Sequence, residues 1–243
     1  MPMGIVEEPF LSAEERSVVN DAKWFASLSP ILRHEILRLA RVLGFDDGEA
    51  ICSQGDLAGS WMCCVSGTVR ISFVAANGRE FTLTYVGPGA WFGDVDMFDG
   101  GTRMHNVHAR GKTRALFVSE PDLRSIGARH PNFYEAMMWL HARHIRQLYS
   151  ALAEVQTLGL RARIAKNVLN LARRHGVGDT VDGAGTPLTL RLAQAELSQL
   201  IGCSRQRANL ELKQMERAGA IGFGTLGLLV RDMDLLAKFA AGA

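Results

Sequence analysis

Four cysteines in 243 residues, none of them in a C-x-x-C pair, give neither a disulfide framework nor a zinc-finger spacing. Cys63 and Cys64 are adjacent, and neighbours on a strand point to opposite faces, so the thiols are expected to be buried and reduced. No uninterrupted apolar run approaches the roughly 18 residues of a membrane span. The N-terminus carries no basic stretch followed by an apolar run and a small-residue cleavage site. A cytoplasmic protein without a membrane partner is the expectation. Catalytic signatures are missing too: there is no G-x-S-x-G elbow, no H-E-x-x-H pair and no phosphate-cradling G-x-x-x-x-G-K-[ST]. Asp94, Asp96 and Asp99 are the nearest approach to a carboxylate cluster, and in a glycine-rich segment they read as solvated or turn-capping groups. An enzyme is not expected.

What is present is ample apolar material, 47% of residues, enough for one large or two ordinary domains. The formal net charge of +2 is unevenly spread. From Arg161 onward there are twelve Lys and Arg against seven Asp and Glu, a net +5, while the first 160 residues carry a net −3. A basic C-terminal third attracts phosphates, which supports non-specific affinity for nucleic acid.

Along the chain, the apolar spacing of Val18, Val19 and Trp24 to Leu28, then Ile31, Leu32, Ile36, Leu37, Leu39 and Ala40, predicts two short helices within residues 15–45. After Phe45 the pattern changes to short apolar runs broken by glycine. Val69 to Val74 and Phe81 to Val86 read as strands joined at an Asn77-Gly78 turn, and many such strands indicate a sandwich or barrel. A short helix follows near Pro121. A long one then runs from about Pro131 to about Thr157, with Phe133, Met137, Leu140, His144, Leu148, Ala151 and Val155 spaced by three or four. A seam sustained over about three heptads marks a coiled coil, so these residues are the expected dimer interface, with an intramolecular core helix as the alternative. Another helix begins at Leu160, and "GVGDTVDGAGTP" reads as a surface loop. Helical spacing resumes at Leu192, Leu197 and Leu200; two short strands around Gly224 to Gly227 and a last helix near Asp232 close the chain.

The segment "IGCSRQRANLELKQME", Ile201 to Glu216, carries the most chemistry. Two helices crossing steeply need a tight turn, and Gly202 can take a positive φ at the end of the first. Ser204 can cap the second by satisfying an amide of its first turn. Ala208, Leu212 and Met215 fall on one face, whereas Arg205, Gln206 and Asn209 lie on the other near the N-terminus. Arginine matches guanine O6 and N7, and glutamine or asparagine matches adenine N6 and N7, each bidentate pair contributing about 1–3 kcal/mol of discrimination. Double-stranded DNA is the expected partner.

Over nearly its full length the chain resembles the Crp/Fnr superfamily of transcription regulators. The matching stretches are "QGD" at Gln54 to Asp56, "SGTV" at Ser66 to Val69, "GPGAWFGD" at Gly87 to Asp94, "RIAKNVLNLA" at Arg163 to Ala172, and "GCSRQRANLELKQMERAGAI" at Gly202 to Ile221. The resemblance implies an α+β architecture: an N-terminal β-roll of the jelly-roll type with its helices over 1–130, a dimerisation helix over 131–159, and a C-terminal winged helix-turn-helix over 160–243. It implies a homodimer on a palindromic operator, with recognition helices in successive major grooves about 34 Å apart, and RNA polymerase as a further partner. Arg205 matches the guanine-reading arginine; Gln206 and Leu210 stand where cyclic-AMP-responsive members carry glutamate and arginine, which predicts a different half-site. Ser204 and Arg207 are the expected phosphate contacts. Glu211 stands where the family usually has an apolar residue.

For the effector, the resemblance implies that Gly93 and Asp94 present an amide and a carboxylate to the phosphate and ribose hydroxyl of a cyclic nucleotide and that Arg103 neutralises the phosphate, with Met104 at the position of the family's serine or threonine. The missing hydroxyl leaves three readings open: a cyclic nucleotide (cAMP or cGMP), a different small molecule, or no ligand. The family's iron-sulfur sensors need an N-terminal cysteine cluster that nothing before Cys52 supplies. A haem or other metal centre is not expected either. His105 and His108 face opposite sides of a strand, and His141 and His144 share a helix face on which packed or water-bound histidines are commoner than ligands. His144 in the seam would make dimer packing pH-sensitive. The competing reading is a scaffold protein that binds a cyclic nucleotide without specific DNA binding, motivated by Leu210 and Glu211.

Overall fold

The first helix, α1 (Ala13–Asp21), begins where Ser12 accepts the Glu15 amide and Glu15 returns a carboxylate to the Ser12 amide, a reciprocal capping box. Glu15 also takes Arg114 at 2.5 Å, which ties this helix to the sheet beneath it. The computed structural model describes residues 6–7, 10–175, 186–187, 194–224 and 227–242. They fall into two units, Met1–Arg146 and Gln147–Ala243.

In the first unit, α2 (Pro30–Leu39) starts at the Ser29 cap with proline in its first turn and ends at Leu39. "RVLGF" then forms strand β2 (Arg41–Phe45), where the sequence pattern had predicted helix. The apolar residues of this stretch suit either periodicity; pairing of Arg41 to Phe45 with a partner strand decides for β. β1 (Val6–Glu7), β3 (Ala50–Cys52), β4 (Ser60–Val74), β5 (Glu80–Val86), β6 (Trp91–Phe92) and β7 (Asn106–Ser119) complete an antiparallel sheet of seven strands. Its order is β1-β2-β7-β4-β5, with β3 on β7 and β6 on β4. The β4–β5 hairpin turns at Gly78 with φ 78°, as the Asn-Gly signal predicts. A one-turn helix, α3 (Val95–Phe98), lies in the connection from β6 to β7. The long strand β4 separates two cores: Cys63 belongs to one cluster with Trp24, Trp61 and Trp91, and Cys64 to another with Met62, Val69 and Phe92. Burial raises both thiols, Cys64 to about 12, so neither is a thiolate at neutral pH.

Past α4 (Glu120–Arg129), α5 runs unbroken over Asn132–Thr157. Its first half is a wall of the first unit's core. Trp24 donates its indole N–H to the Ala136 carbonyl at 2.9 Å, and Phe133, Met137 and Leu140 are buried in the same cluster as Trp61 and Ile36. Three residues of the expected seam are thus enclosed within their own chain and present nothing to a partner. The exposed apolar stripe of α5 is a different one: Met138, Ile145, Leu148, Leu152 and Val155, all more than half exposed. Met138, Ile145 and Leu152 are seven apart, as are Leu148 and Val155, so the heptad exists in a shifted register. His144 turns toward its own chain, as described below, and Leu148, Ala151 and Val155 remain on the exposed side.

In the second unit, α6 (Leu160–His175) packs on α7 (Gln194–Ile201), α8 (Arg205–Arg217) and α9 (Met233–Ala240). Ile164, Val168, Leu197, Leu212, Met215 and Leu236 are buried there. β9 (Ile221–Gly224) and β10 (Gly227–Val230) form an antiparallel hairpin, and β8 (Thr186–Pro187) joins its other side. The end of the expected loop at 176–187 is therefore paired strand; its remainder, like Leu192, lies outside the described residues. Asp232 caps α9 by accepting the Leu235 amide at 2.8 Å.

Candidate DNA-binding and effector sites

The turn between α7 and α8 has the predicted chemistry. Gly202 takes φ 72°, and the Cys203 amide bonds back to the Ser198 carbonyl at 3.1 Å. The Ser204 hydroxyl accepts the Arg207 amide at 3.3 Å, a cap whose removal generally costs about 1 kcal/mol. Ala208, Leu212 and Met215 are fully buried beneath α8. This leaves Ser204, Arg205, Gln206 and Arg207 exposed at its N-terminal end, with Asn209 half-buried at the margin. Arg163 donates to the Ile201 carbonyl at 2.6 Å, so α6 anchors the turn.

Glu211 now has a physical account. It receives Arg161 Nε at 2.7 Å, and the same guanidinium bonds Gln214, so the departure from an apolar residue is compensated by an ion pair from α6. Two exposed cations escaped the sequence reading: Lys213 and Arg217 continue the line of Gln206 and Leu210 along the outer face of α8. The signal was their spacing from Gln206, alternately four and three. Leu210 is 59% exposed in the middle of that line, an apolar group where a thymine methyl would find contact.

The comparisons with known proteins agree with this geometry in both units. The Cyclic nucleotide-binding domain family model matches residues 42–130, and the Crp-like helix-turn-helix domain model matches residues 162–239. A CRP-like cAMP-activated global transcriptional regulator of Mycobacterium tuberculosis is 30% identical over 216 residues, covering 89% of this chain and 95% of its own. The chain belongs to the Crp/Fnr family of transcription regulators. A Cyclic AMP receptor protein of Thermus thermophilus is 29% identical, with 82% of this chain and 87% of its own covered. The solved structure of FixK2 from Bradyrhizobium japonicum has the same fold, with a TM-score of 0.72 at 20% identity, covering 84% of this chain and 98% of its own. Among the described residues no helix is long and apolar enough to cross a membrane, and no group of three or more metal-ligating side chains is arranged to hold an ion.

In this Crp/Fnr chain the four expected effector residues surround α3. Gly93 takes φ 77°, and a Cβ there would stand 2.9 Å from Arg103 Nη1 and 2.6 Å from Met62 Cε, so both backbone and space require glycine. Arg103 is only 4% exposed. Its Nη1 donates to the Gly93 carbonyl at 2.9 Å and meets Asp96 Oδ2 at 3.4 Å, while Nη2 bonds the Ser60 carbonyl. Met104 is half exposed and donates its amide to Asp96 Oδ1 at 3.3 Å.

Asp94, 2% exposed, faces α5. His141 Nε2 lies 2.7 Å and His144 Nδ1 3.6 Å from its Oδ2. Burial alone would raise this carboxyl; bonding by His141 and His144 outweighs it and holds Asp94 below the usual carboxylate range. The bond to Asp94 raises His141 in turn, against its own burial. His144 thus faces Asp94 of its own chain.

His141, raised in the folded chain, contributes stability that is complete below its unfolded value near 6.5 and lost as pH climbs through the folded value. Asp94, depressed, contributes above about 3.8 and loses its contribution as pH falls through its folded value. The wild type is therefore expected to lose stability relative to His141→Gln as pH rises from about 6.5 into the alkaline range. Thermal unfolding of both proteins over that range checks it, the other titrating groups cancelling in the difference; a difference that stays flat with pH removes the pairing.

Proposed function

We propose that the protein is a sequence-specific regulator that binds a palindromic DNA operator as a homodimer under the control of a small molecule in its β-roll. The observation carrying this reading is the outer face of α8, where Arg205, Gln206 and Arg207 stand exposed beyond the Ser204 cap on a helix held rigidly from below. Arg205, Gln206 and Asn209 are assigned to base edges, and Ser204 and Arg207 to phosphates, with Lys213 and Arg217 adding positive charge along the same side.

A second copy of the chain is the occupant assigned to the stripe of Met138, Ile145, Leu148, Leu152 and Val155. A heptad repeat is self-complementary about a two-fold axis, so one chain supplies both sides of the seam. Residues 1–130 act as effector-sensing unit, 131–159 as dimerisation helix and 160–243 as DNA-binding unit. The Asp94 contact with His141 joins the effector loop to α5, so a ligand that alters it shifts the helix on which the dimer depends. The effector is a small molecule; the curated relatives described as cAMP-activated make cyclic AMP the first to try. Work in the cytoplasm with RNA polymerase as partner completes the reading.

The test is selection from a randomised duplex pool by the purified protein at fixed salt, with and without cyclic AMP and cyclic GMP. Enrichment of a palindrome whose half-sites are about one helical turn apart is expected. No enrichment in any condition, from a protein shown to be folded and dimeric, would favour the scaffold reading.

A further inference from the structure

We infer that Asp96 is a built-in counter-anion for the effector arginine and keeps a cyclic phosphate off Arg103. The inference rests on the reading of the β-roll as an effector site. Arg103 and Asp96 are both buried, with side chains 4% and 8% exposed, and meet at 3.4 Å. The carbonyls of Gly93 and Ser60 occupy further N–H groups of the guanidinium. The backbone of Arg103 is fixed as well: its amide donates to the Asp56 carbonyl at 2.7 Å, and its carbonyl accepts the Gly55 amide at 2.8 Å. Asp96 is held from its other oxygen by the Met104 amide. Around the position where the family resemblance places a phosphate, each partner of the cation is thus supplied by the chain itself.

A cyclic phosphodiester carries one negative charge, the same as the carboxylate it would displace. The exchange gains no net charge complementarity and leaves Asp96 buried without its cation. Stripping the partner from a buried ion pair costs on the order of a hundredfold to a few thousandfold in an equilibrium constant. Met104 offers no hydroxyl in return, and Asp94, the carboxylate matching the ribose contact, is already engaged by His141 and His144. The Arg103 guanidinium is thus already paired within the chain. Asp96 is the residue that sets its specificity against cyclic nucleotides, and the effector it admits is one that does not require the Arg103 guanidinium.

The experiment is calorimetric titration of the full-length protein and of Asp96→Asn with cyclic AMP and cyclic GMP, each protein being checked for folding by thermal unfolding. The wild type is expected to show no saturable binding tighter than about 100 μM, and Asp96→Asn to bind at least about thirtyfold more tightly. Adding Arg103→Met to Asp96→Asn is expected to remove the gain. A wild-type Kd below about 10 μM overturns the inference whatever the variants do. So does a folded Asp96→Asn protein whose affinity equals that of the wild type. Should Asp96→Asn fail to fold, Asp96→Ser replaces it under the same criteria. Palindrome binding by the wild type, measured on the same preparation, reports separately on the regulator reading: its absence would sink that reading without altering the titration.

Discussion

Leu152→Asp is expected to convert the protein into a monomer and to weaken its binding to a palindromic duplex by at least about a hundredfold. Leu152 lies in the middle of the exposed stripe of α5, one heptad beyond Ile145 and two beyond Met138. In the proposed dimer an aspartate there would face its symmetry mate across the two-fold axis, and two like charges without cations to pair them cannot be buried in a seam. Loss of the dimer removes the second half-site contact, which linkage makes worth about 10²–10⁴ in affinity. Leu140→Ala is the informative contrast. That residue is buried within the first unit, so its truncation is expected to lower stability by about 2–5 kcal/mol while leaving the oligomeric state unchanged. Sedimentation of both variants, followed by duplex binding, separates the two roles. A dimeric Leu152→Asp protein would remove the shifted register from consideration.

For Arg205→Ala, the expected loss in affinity for the selected operator is about five- to 150-fold, the equivalent of about 1–3 kcal/mol, accompanied by relaxed preference at one base position in each half-site. The side chain is exposed at the first position of a capped helix and, among the described residues, forms no ion pair that would compete for it. Arg207→Ala should behave differently: affinity falls by a similar factor on every sequence, and the dependence on salt loses about one unit of slope. Measuring both variants against the operator and single-base substitutions at several salt concentrations distinguishes reading from positioning. Equal losses on all sequences for Arg205→Ala would remove its role in base recognition.

The DNA-binding unit was legible because its determinants are local. Gly202, Ser204 and the spacing of Ala208, Leu212 and Met215 specify a turn, a cap and a buried face within a few residues, and each is in place in the folded chain. The same holds for the Asn77-Gly78 hairpin. Glu211 was not legible, since its partner Arg161 lies fifty residues away and only the packing of α6 on α8 joins them.

Two further matters needed tertiary structure. α5 is apolar on more than one side, and its sequence contains two overlapping frames that share Leu148 and Val155. Spacing alone cannot tell which frame is covered by the chain's own tryptophans and which is left exposed; the docking of Trp24 on Ala136 decided it. The effector residues pose the same difficulty in polar form. Sequence determined that this chain carries Asp94 and Arg103 at the matching positions and a methionine where a hydroxyl is usual. It could not say that Asp96 and the α5 histidines already hold them, because a buried charge takes its partner from whatever the fold brings within about 4 Å. Local patterns thus determined the elements, the turn and the family, while the register of the exposed helix face and the pairing of the buried charges were fixed by contacts between segments distant along the chain.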